Sequence, residues 1–258
     1  MCGRDADHLG ELQDEKKRLA LPVAALFVFR TNVMETTIFC DFDGTLTSTN
    51  VTDAVLESFA DPLWREIQEE WLAGKLSARE VLEKQMPLIS VESKELDAFI
   101  ETIDVDPFFS QFAASCSERG YRLYILSDGF DYWIGKLLAR ALSGTRMAAG
   151  IPIFACHLGF RGSRVSISFP YFPGGCAHGC ATCKPALFEL LKAGAQKTVV
   201  IGDGVSDHLL ARCADLVLAK NQLLQFCHQE GISCQPFQDF REVTFRIEAG
   251  LSVKLDAR

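Results

Sequence analysis

The stretch at residues 38–50, IFCDFDGTLTSTN, places Asp41 and Asp43 one residue apart, after an apolar, β-prone run and directly before Gly44. Two close carboxylates repel, and each resists leaving water, so a chain that holds them at the end of a buried strand needs a compensating charge. A hard divalent cation supplies it. Magnesium takes oxygen ligands in near-octahedral array, usually one or two carboxylates with water and substrate phosphate in the remaining positions. Asp203, in GDGVSD, also follows an apolar run and can give the second carboxylate. Asp43 can add its backbone carbonyl, and Asp207 can add a ligand or orient a bound water.

The same groups can open a phosphate ester. An Asp41 carboxylate oxygen can attack phosphorus in line to form an aspartyl-phosphate. Asp43 can then protonate the leaving oxygen and later take a proton from water. Residues i and i+2 of a strand face the same side, and a turn starting at Gly44 brings the second carboxyl near without crowding the first. Charge on the transferring phosphoryl group needs donors. Ser127, the amides of Asp128 and Gly129, and Lys184 are the candidates, while Gly204 keeps the third turn open.

These residues need a scaffold that brings distant turns together. Three short apolar runs each end in a polar turn: TTIFC before DFDGT, YRLYIL before SDGF, and KTVVI before GDGVSD; ADLVLA is a fourth run. Such runs suit strands buried on both faces of a parallel sheet. Helical spacing alternates with them over residues 131–142, 185–193, 205–212, 223–230 and 239–250. The pattern predicts a doubly wound, Rossmann-like α/β sheet, in which ligands bind at the carboxyl ends of the strands.

Between the first two strands lies a helical insertion, read as a lid. Asn50 with Asp53 is expected to cap one helix, and DPLWREIQEEWLAGK, SAREVLEKQMPLI and SKELDAFIETI are expected to form three more. Phe59, Trp64, Trp71 and Phe99 fit core packing within this lid better than a substrate wall. After the second strand, IPIFACHLGF and RVSISF flank RGS as a hairpin. Asp131 is expected to cap the helix that begins at Tyr132.

The composition narrows the partners. With 26 basic and 34 acidic residues in 258, and no long basic stretch, the chain is a poor match for nucleic acid. Residues 19–29 imitate a signal peptide after Lys16, Lys17 and Arg18, but the run is too short to span a bilayer and contains Pro22. Residues 1–33 are therefore read as a poorly ordered extension, with no membrane partner. Of the ten cysteines, several sit singly among apolar neighbours, which suits a reducing cytoplasm.

Cys176, Cys180 and Cys183 form C-x3-C-x2-C. This matches the cluster-binding triplet of radical enzymes that use S-adenosylmethionine, but here it falls late in the chain and has Thr182 where an aromatic residue is usual. Zinc, with His178 as fourth ligand, is chemically possible, and a reduced or reversibly oxidised structural loop is the default.

DFDGTLT at residues 41–47, Ser127 after LYIL, Lys184 before Pro185, and GDGVSD at residues 202–207 together resemble the four ordered motifs of the haloacid dehalogenase superfamily. The resemblance implies that Asp41 is the nucleophile and Asp43 the acid/base. Ser127 and Lys184 would bind phosphate, and Asp41, Asp43 and Asp203 would bind magnesium with support from Asp207. It implies a catalytic core over residues 34–48 and 106–258, with the hairpin and cysteine-rich loop at about 151–183, and a helical cap over 49–105. The cap looks like that of the subgroup containing phosphoserine phosphatase. SDGFDYW, the hairpin and the cysteine stretch running into CKP resemble the MtnX-like branch, whose namesake dephosphorylates 2-hydroxy-3-keto-5-methylthiopentenyl-1-phosphate in methionine salvage. Asn50 stands where phosphoserine phosphatases carry an acidic residue, which argues against an amino-acid phosphate.

The expectation is thus a magnesium-dependent phosphomonoesterase for a small phosphorylated metabolite, a monomer or homodimer. Phosphoserine and phosphocholine or phosphoethanolamine are the alternative substrates. Asp43 separates this reading from a dehalogenase, which does not need the second carboxylate. The non-catalytic rival is a metal- or redox-sensing module built around the cysteine loop.

Overall fold

The computed structural model describes residues 36–145, 150–174, 176 and 179–252. The extension expected over 1–33, and His178, lie outside the described residues.

β1 (Thr36–Cys40) is buried along its whole length between two parallel neighbours, β2 (Arg122–Phe130) and β5 (Lys197–Gly202). β3 (Ile153–Arg161) and β4 (Arg164–Ser168) lie beyond β2, and β6 (Leu216–Ala219) and β7 (Gln235–Pro236) beyond β5. The order is β4-β3-β2-β1-β5-β6-β7, and only the β3–β4 pairing is antiparallel. Successive residues of each strand face opposite sides, so two apolar layers form. Ile38, Ile125 and Ile201 point into one, and Phe39, Leu126 and Val200 into the other.

Helices cover both layers. α5 (Phe109–Glu118) and α10 (Phe240–Ser252) meet on the first face, where the rings of Phe109 and Phe240 are edge-to-face at 5.2 Å. α6 (Asp131–Ala141) buries Trp133, Ile134, Leu137 and Leu138 on the same side. On the other, α7 (Lys184–Leu191) buries Leu187 and Phe188 against Phe39, with ring centroids 4.7 Å apart. Each such side chain contributes about 1.5–3 kcal/mol by leaving water. α8 (His208–Ala211) and α9 (Asn221–Glu230) complete the wrapping. The doubly wound α/β architecture expected from the sequence is present.

Four helices rise between β1 and β2: α1 (Val51–Phe59), α2 (Trp64–Leu72), α3 (Ala78–Gln85) and α4 (Ser93–Ile100). Asn50 caps α1 by accepting from the Asp53 N–H at 3.0 Å. Ser77 and Glu80 form a reciprocal capping box on α3. At the base, the Asp106 N–H donates to the Leu46 carbonyl at 2.9 Å, tying the two ends of the insertion together. Phe59 and Phe99 pack edge-to-face at 5.3 Å and Trp64 is buried, whereas Trp71 packs only partly and faces the crevice beneath the helices.

The expected hairpin forms, turning at Gly162 with φ +64°, and its first strand β3 pairs parallel with β2, widening the main sheet. Two details differ from expectation. β2 continues through Ser127, Asp128 and Gly129 to Phe130, with a register shift between Leu126 and Phe130; the expected turn is an irregularity inside a strand, held by the Phe130–Cys156 pairing. Asp131 does not cap its helix. It is the first helical residue, and its carboxylate accepts from the Leu158 N–H at 3.1 Å and meets His157 Nδ1 at 2.7 Å, clamping α6 to β3.

Candidate active site

Adjacent strands stand about 4.8 Å apart, so the carboxyl ends of β2, β1 and β5 must lie within roughly 10 Å. The Asp41 N–H extends the β1–β5 ladder by donating to the Ile201 carbonyl at 2.9 Å. The chain then turns tightly, with the N–H groups of Thr45, Leu46 and Thr47 converging on the Phe42 carbonyl. Gly44 makes the turn possible. Its φ is +73°, and a Cβ there would lie 2.3 Å from Asp203 Oδ2.

Carboxylate oxygens of Asp41, Asp203 and Asp207 lie within 4.8 Å of one another. All three are hard oxygen donors, and the grouping fits a magnesium-class ion. Asp41 and Asp207 are buried, while Asp203 is half-buried at the crevice. Burial and the negative charge of Asp207 hold Asp41 well above the usual carboxylate range, against the pull of Lys184. Burial also lifts Asp203, although Asn221 and Thr45 bond to it.

Lys184, the first residue of α7, places Nζ 3.0 Å from Asp41 Oδ1 and 2.8 Å from Asp207 Oδ1. Burial opposes its charge, but Asp207, Asp41 and Asp128 outweigh that cost and hold its pKa above the lysine norm. The residue is 1% exposed, with its ammonium held against the proposed nucleophile and Asp207. Asp41 Oδ1 also accepts from the Phe42 N–H at 2.7 Å. Two donors thus fix the carboxyl plane through Oδ1, and neither bond engages Oδ2.

Asp43 points the other way. Its Oδ1 accepts from the Val51 N–H at 2.7 Å, and its Oδ2 lies 2.5 Å from where a Cβ on Gly129 would stand. Burial pushes its pKa up to about 7, with the Val51 bond opposing. Ser127 is buried, and its Oγ accepts from the Gly129 N–H at 2.9 Å. The Asp128 carboxylate turns toward the cysteine loop and accepts from the Thr182 N–H at 2.8 Å.

Asp41, Asp43, Ser127, Asp128, Gly129 and Asp203 line a crevice of about 480 Å³, within the range that takes small metabolites. Gln68, Trp71, Val81, Leu82 and Gln85 from the inserted helices form part of its wall. Gln85 Nε2 donates to Gln68 Oε1 at 2.9 Å and to the Trp64 carbonyl at 3.0 Å, which fixes both amides.

Several site residues escaped sequence reasoning. Thr45 Oγ1 and Asn221 Nδ2 each donate to Asp203 at 3.2 Å. Asn221 does so from a backbone φ of +45°, a strained conformation for a side-chain-bearing residue. Nothing in the local pattern signals that role. Asp53 also lines the crevice, where burial raises its pKa; its position one turn after Asn50 was the available signal.

A profile of haloacid dehalogenase-like hydrolases matches residues 38–212. The chain is 34% identical over 209 residues to the 2-hydroxy-3-keto-5-methylthiopentenyl-1-phosphate phosphatase of Geobacillus kaustophilus, covering 80% of this chain and 92% of that protein. It is 32% identical over 214 residues to the protein of the same name from Geobacillus thermodenitrificans, covering 82% and 94%. Among solved structures, a phospho-aspartyl intermediate analogue of phosphoserine phosphatase superposes with a TM-score of 0.60 at 22% identity, covering 82% of this chain and 98% of that one. That similarity speaks to the fold. The chain belongs to the haloacid dehalogenase-like hydrolase family.

Proposed function

We propose that the protein is a magnesium-dependent phosphomonoesterase acting through Asp41, with 2-hydroxy-3-keto-5-methylthiopentenyl-1-phosphate as its substrate. The observation that carries the reading is the convergence of Asp41, Asp203 and Asp207 around one centre, with Asp41 and Asp203 lining a crevice beneath the inserted helices. The names of the relatives support the substrate. So does the wall: Gln68 and Gln85 suit hydroxyl and keto oxygens, while Trp71, Val81 and Leu82 suit a methylthio tail.

Magnesium held by Asp41, Asp203 and Asp207 and the Asp43 carbonyl would supply positive charge for the phosphate oxygens. Asp41 Oδ2 attacks phosphorus as the ester P–O bond breaks, and Asp43 gives its proton to the departing alkoxide. Asp43, now ionised, takes a proton from water as that water attacks the phosphorus of the acyl phosphate, releasing inorganic phosphate and restoring Asp41. Lys184 balances Asp41 and Asp207 in the ground state and adds positive charge beside the nucleophile for the phosphate oxygens. The Ser127 hydroxyl, whose oxygen accepts from the Gly129 N–H, and the amide of Asp128 offer donors at the crevice wall. The helices over the crevice exclude water and set specificity.

Reduced cysteines throughout the described chain suit a cytoplasmic setting. Phosphoserine is the second reading, because Asp53 sets a carboxylate in the crevice that could meet an ammonium.

The test is phosphate release from a panel containing the enediol and keto forms of the methylthio substrate, phosphoserine, phosphocholine and simple sugar phosphates. Magnesium-dependent turnover highest on the methylthio substrate is expected. Preference for phosphoserine would transfer the assignment to the second reading, and a folded, magnesium-loaded protein that releases no phosphate would overturn both.

A further inference from the structure

The cysteine loop has no part in the chemistry above, yet it lies between the two regions that must stay in register for that chemistry. Cys183 directly precedes Lys184, and its N–H donates to the Tyr171 carbonyl at 3.1 Å. Its neighbour Thr182 donates to the Asp128 carboxylate. At the far end, the Gly179 carbonyl accepts from the Arg79 N–H at 3.2 Å, and a Cβ on Gly179 would lie 2.4 Å from the Ser77 Cβ. The Arg79 guanidinium also sits over the ring of Phe172 at 4.5 Å. The loop is therefore a strut from the start of α3, above the crevice, to the lysine beneath it.

Within this strut the Sγ atoms of Cys176, Cys180 and Cys183 lie within 4.8 Å of one another, and those of Cys176 and Cys183 are 3.9 Å apart. Tetrahedral thiolates at about 2.3 Å from a zinc ion have sulfur–sulfur edges of roughly 3.8 Å. Thiolates on separate irons of a cluster stand farther apart than three on a single ion. A soft sulfur set also selects against magnesium, so this centre would not compete with the carboxylates for the catalytic ion.

We propose that Cys176, Cys180 and Cys183 form a three-thiolate site for a soft divalent cation of the zinc class, which braces the loop joining the helical insertion to Lys184. On binding, each coordinating thiol loses its proton to solvent, and water fills the fourth position. The chain undergoes no oxidation.

The experiment uses the full chain, purified reduced, stripped with chelator, equilibrated with zinc and dialysed. One zinc per chain is expected in the wild type and in Asp203→Asn, with loss of that zinc in both Cys176→Ser and Cys180→Ser and its retention in the control Cys213→Ser. Circular dichroism checks that each variant is folded. Cobalt in place of zinc should give thiolate-to-metal charge-transfer absorption and visible bands of tetrahedral intensity, absent in the two loop variants. Zinc should raise the thermal midpoint of the wild type and not that of Cys180→Ser. Equal zinc in the wild type and folded Cys180→Ser, iron with inorganic sulfide in the isolated protein, or a Cys176–Cys183 disulfide in protein that retains no zinc would each overturn the proposal. None of these readouts requires turnover, so they stand or fall apart from the phosphatase assignment.

Discussion

The carboxylate of Asp43 is held at 2.7 Å by the backbone N–H of Val51, the first residue of α1. The proposed proton-transfer residue is thereby oriented by the element that begins the lid, so seating of the helices and alignment of the acid are linked. Replacing Asp43 with Asn should lower kcat by about 10²–10⁴-fold with a smaller change in KM. Val51→Pro is a finer probe. Proline is tolerated at the first helical position, and Asn50 already has the extended backbone that must precede it. The variant should keep α1 while removing the donor and placing proline Cδ against the Asp43 carboxylate, which must shift, so kcat should fall by at least about tenfold, the worth of a bond to a charged group. Because that bond favours the ionised form, its loss should move the Asp43 limb of the pH–rate profile to higher pH. An unchanged kcat and profile would separate Val51 from catalysis.

Removing Lys184 should cost stability as well as rate. Asp41 and Asp207 are both buried against its ammonium, and deleting one partner of such a set typically costs about 3–5 kcal/mol. Lys184→Ala should therefore unfold at lower denaturant than the wild type, as followed by circular dichroism. Magnesium should restore more stability to the variant than to the wild type, because the two carboxylates are then left to the ion alone. A variant as stable as the wild type without magnesium would contradict the charge balance.

Gly44 and Gly129 are both expected to be intolerant of a methyl group. Alanine at 44 would meet the Asp203 carboxylate, and alanine at 129 the Asp43 carboxylate. Gly44→Ala should weaken magnesium binding by displacing Asp203, raising the magnesium concentration needed for half-maximal rate. Gly129→Ala should instead lower kcat at saturating magnesium by displacing Asp43. Titrating phosphatase activity with magnesium distinguishes the two effects.

Trp71 forms part of the wall expected to face the substrate tail. Trp71→Ala should raise KM for the methylthio substrate by roughly 10- to 150-fold, in keeping with 1.5–3 kcal/mol for a buried apolar side chain, and change turnover of a tail-less phosphate ester much less. Equal effects on both substrates would place Trp71 in lid packing alone.

Much of this arrangement was legible in the sequence because buried parallel strands have a distinctive composition and end in turns that must be polar. TTIFC, YRLYIL and KTVVI could be placed as strands, and their following residues at one edge of a sheet, from periodicity and the parallel-sheet rule. Residues with long-range partners were harder. That Asn221 would hold Asp203, or Asp131 reach His157, depends on packing between elements distant in sequence. The type and position of Lys184 were visible, but its burial between Asp41 and Asp207 depends on how α7 seats on Phe39. The β2 irregularity at Ser127 was missed because a pairing with Cys156 extends a strand through SDG, residues that read locally as a turn. α5 was overlooked although Phe109, Phe112, Ala113 and Cys116 show helical spacing, whereas the two residues of β7 are too few for any periodic signal.

The central claim is that Asp41 becomes transiently phosphorylated. The direct measurement is rapid mixing of the magnesium-loaded enzyme with a turned-over phosphate ester, quenching, and borohydride reduction, which converts an aspartyl acyl phosphate to homoserine, followed by peptide mass spectrometry. The account predicts homoserine at position 41, dependent on substrate and magnesium and absent in Asp41→Asn. Continued phosphate release with no reducible adduct at Asp41, or an adduct at another carboxylate, would contradict it.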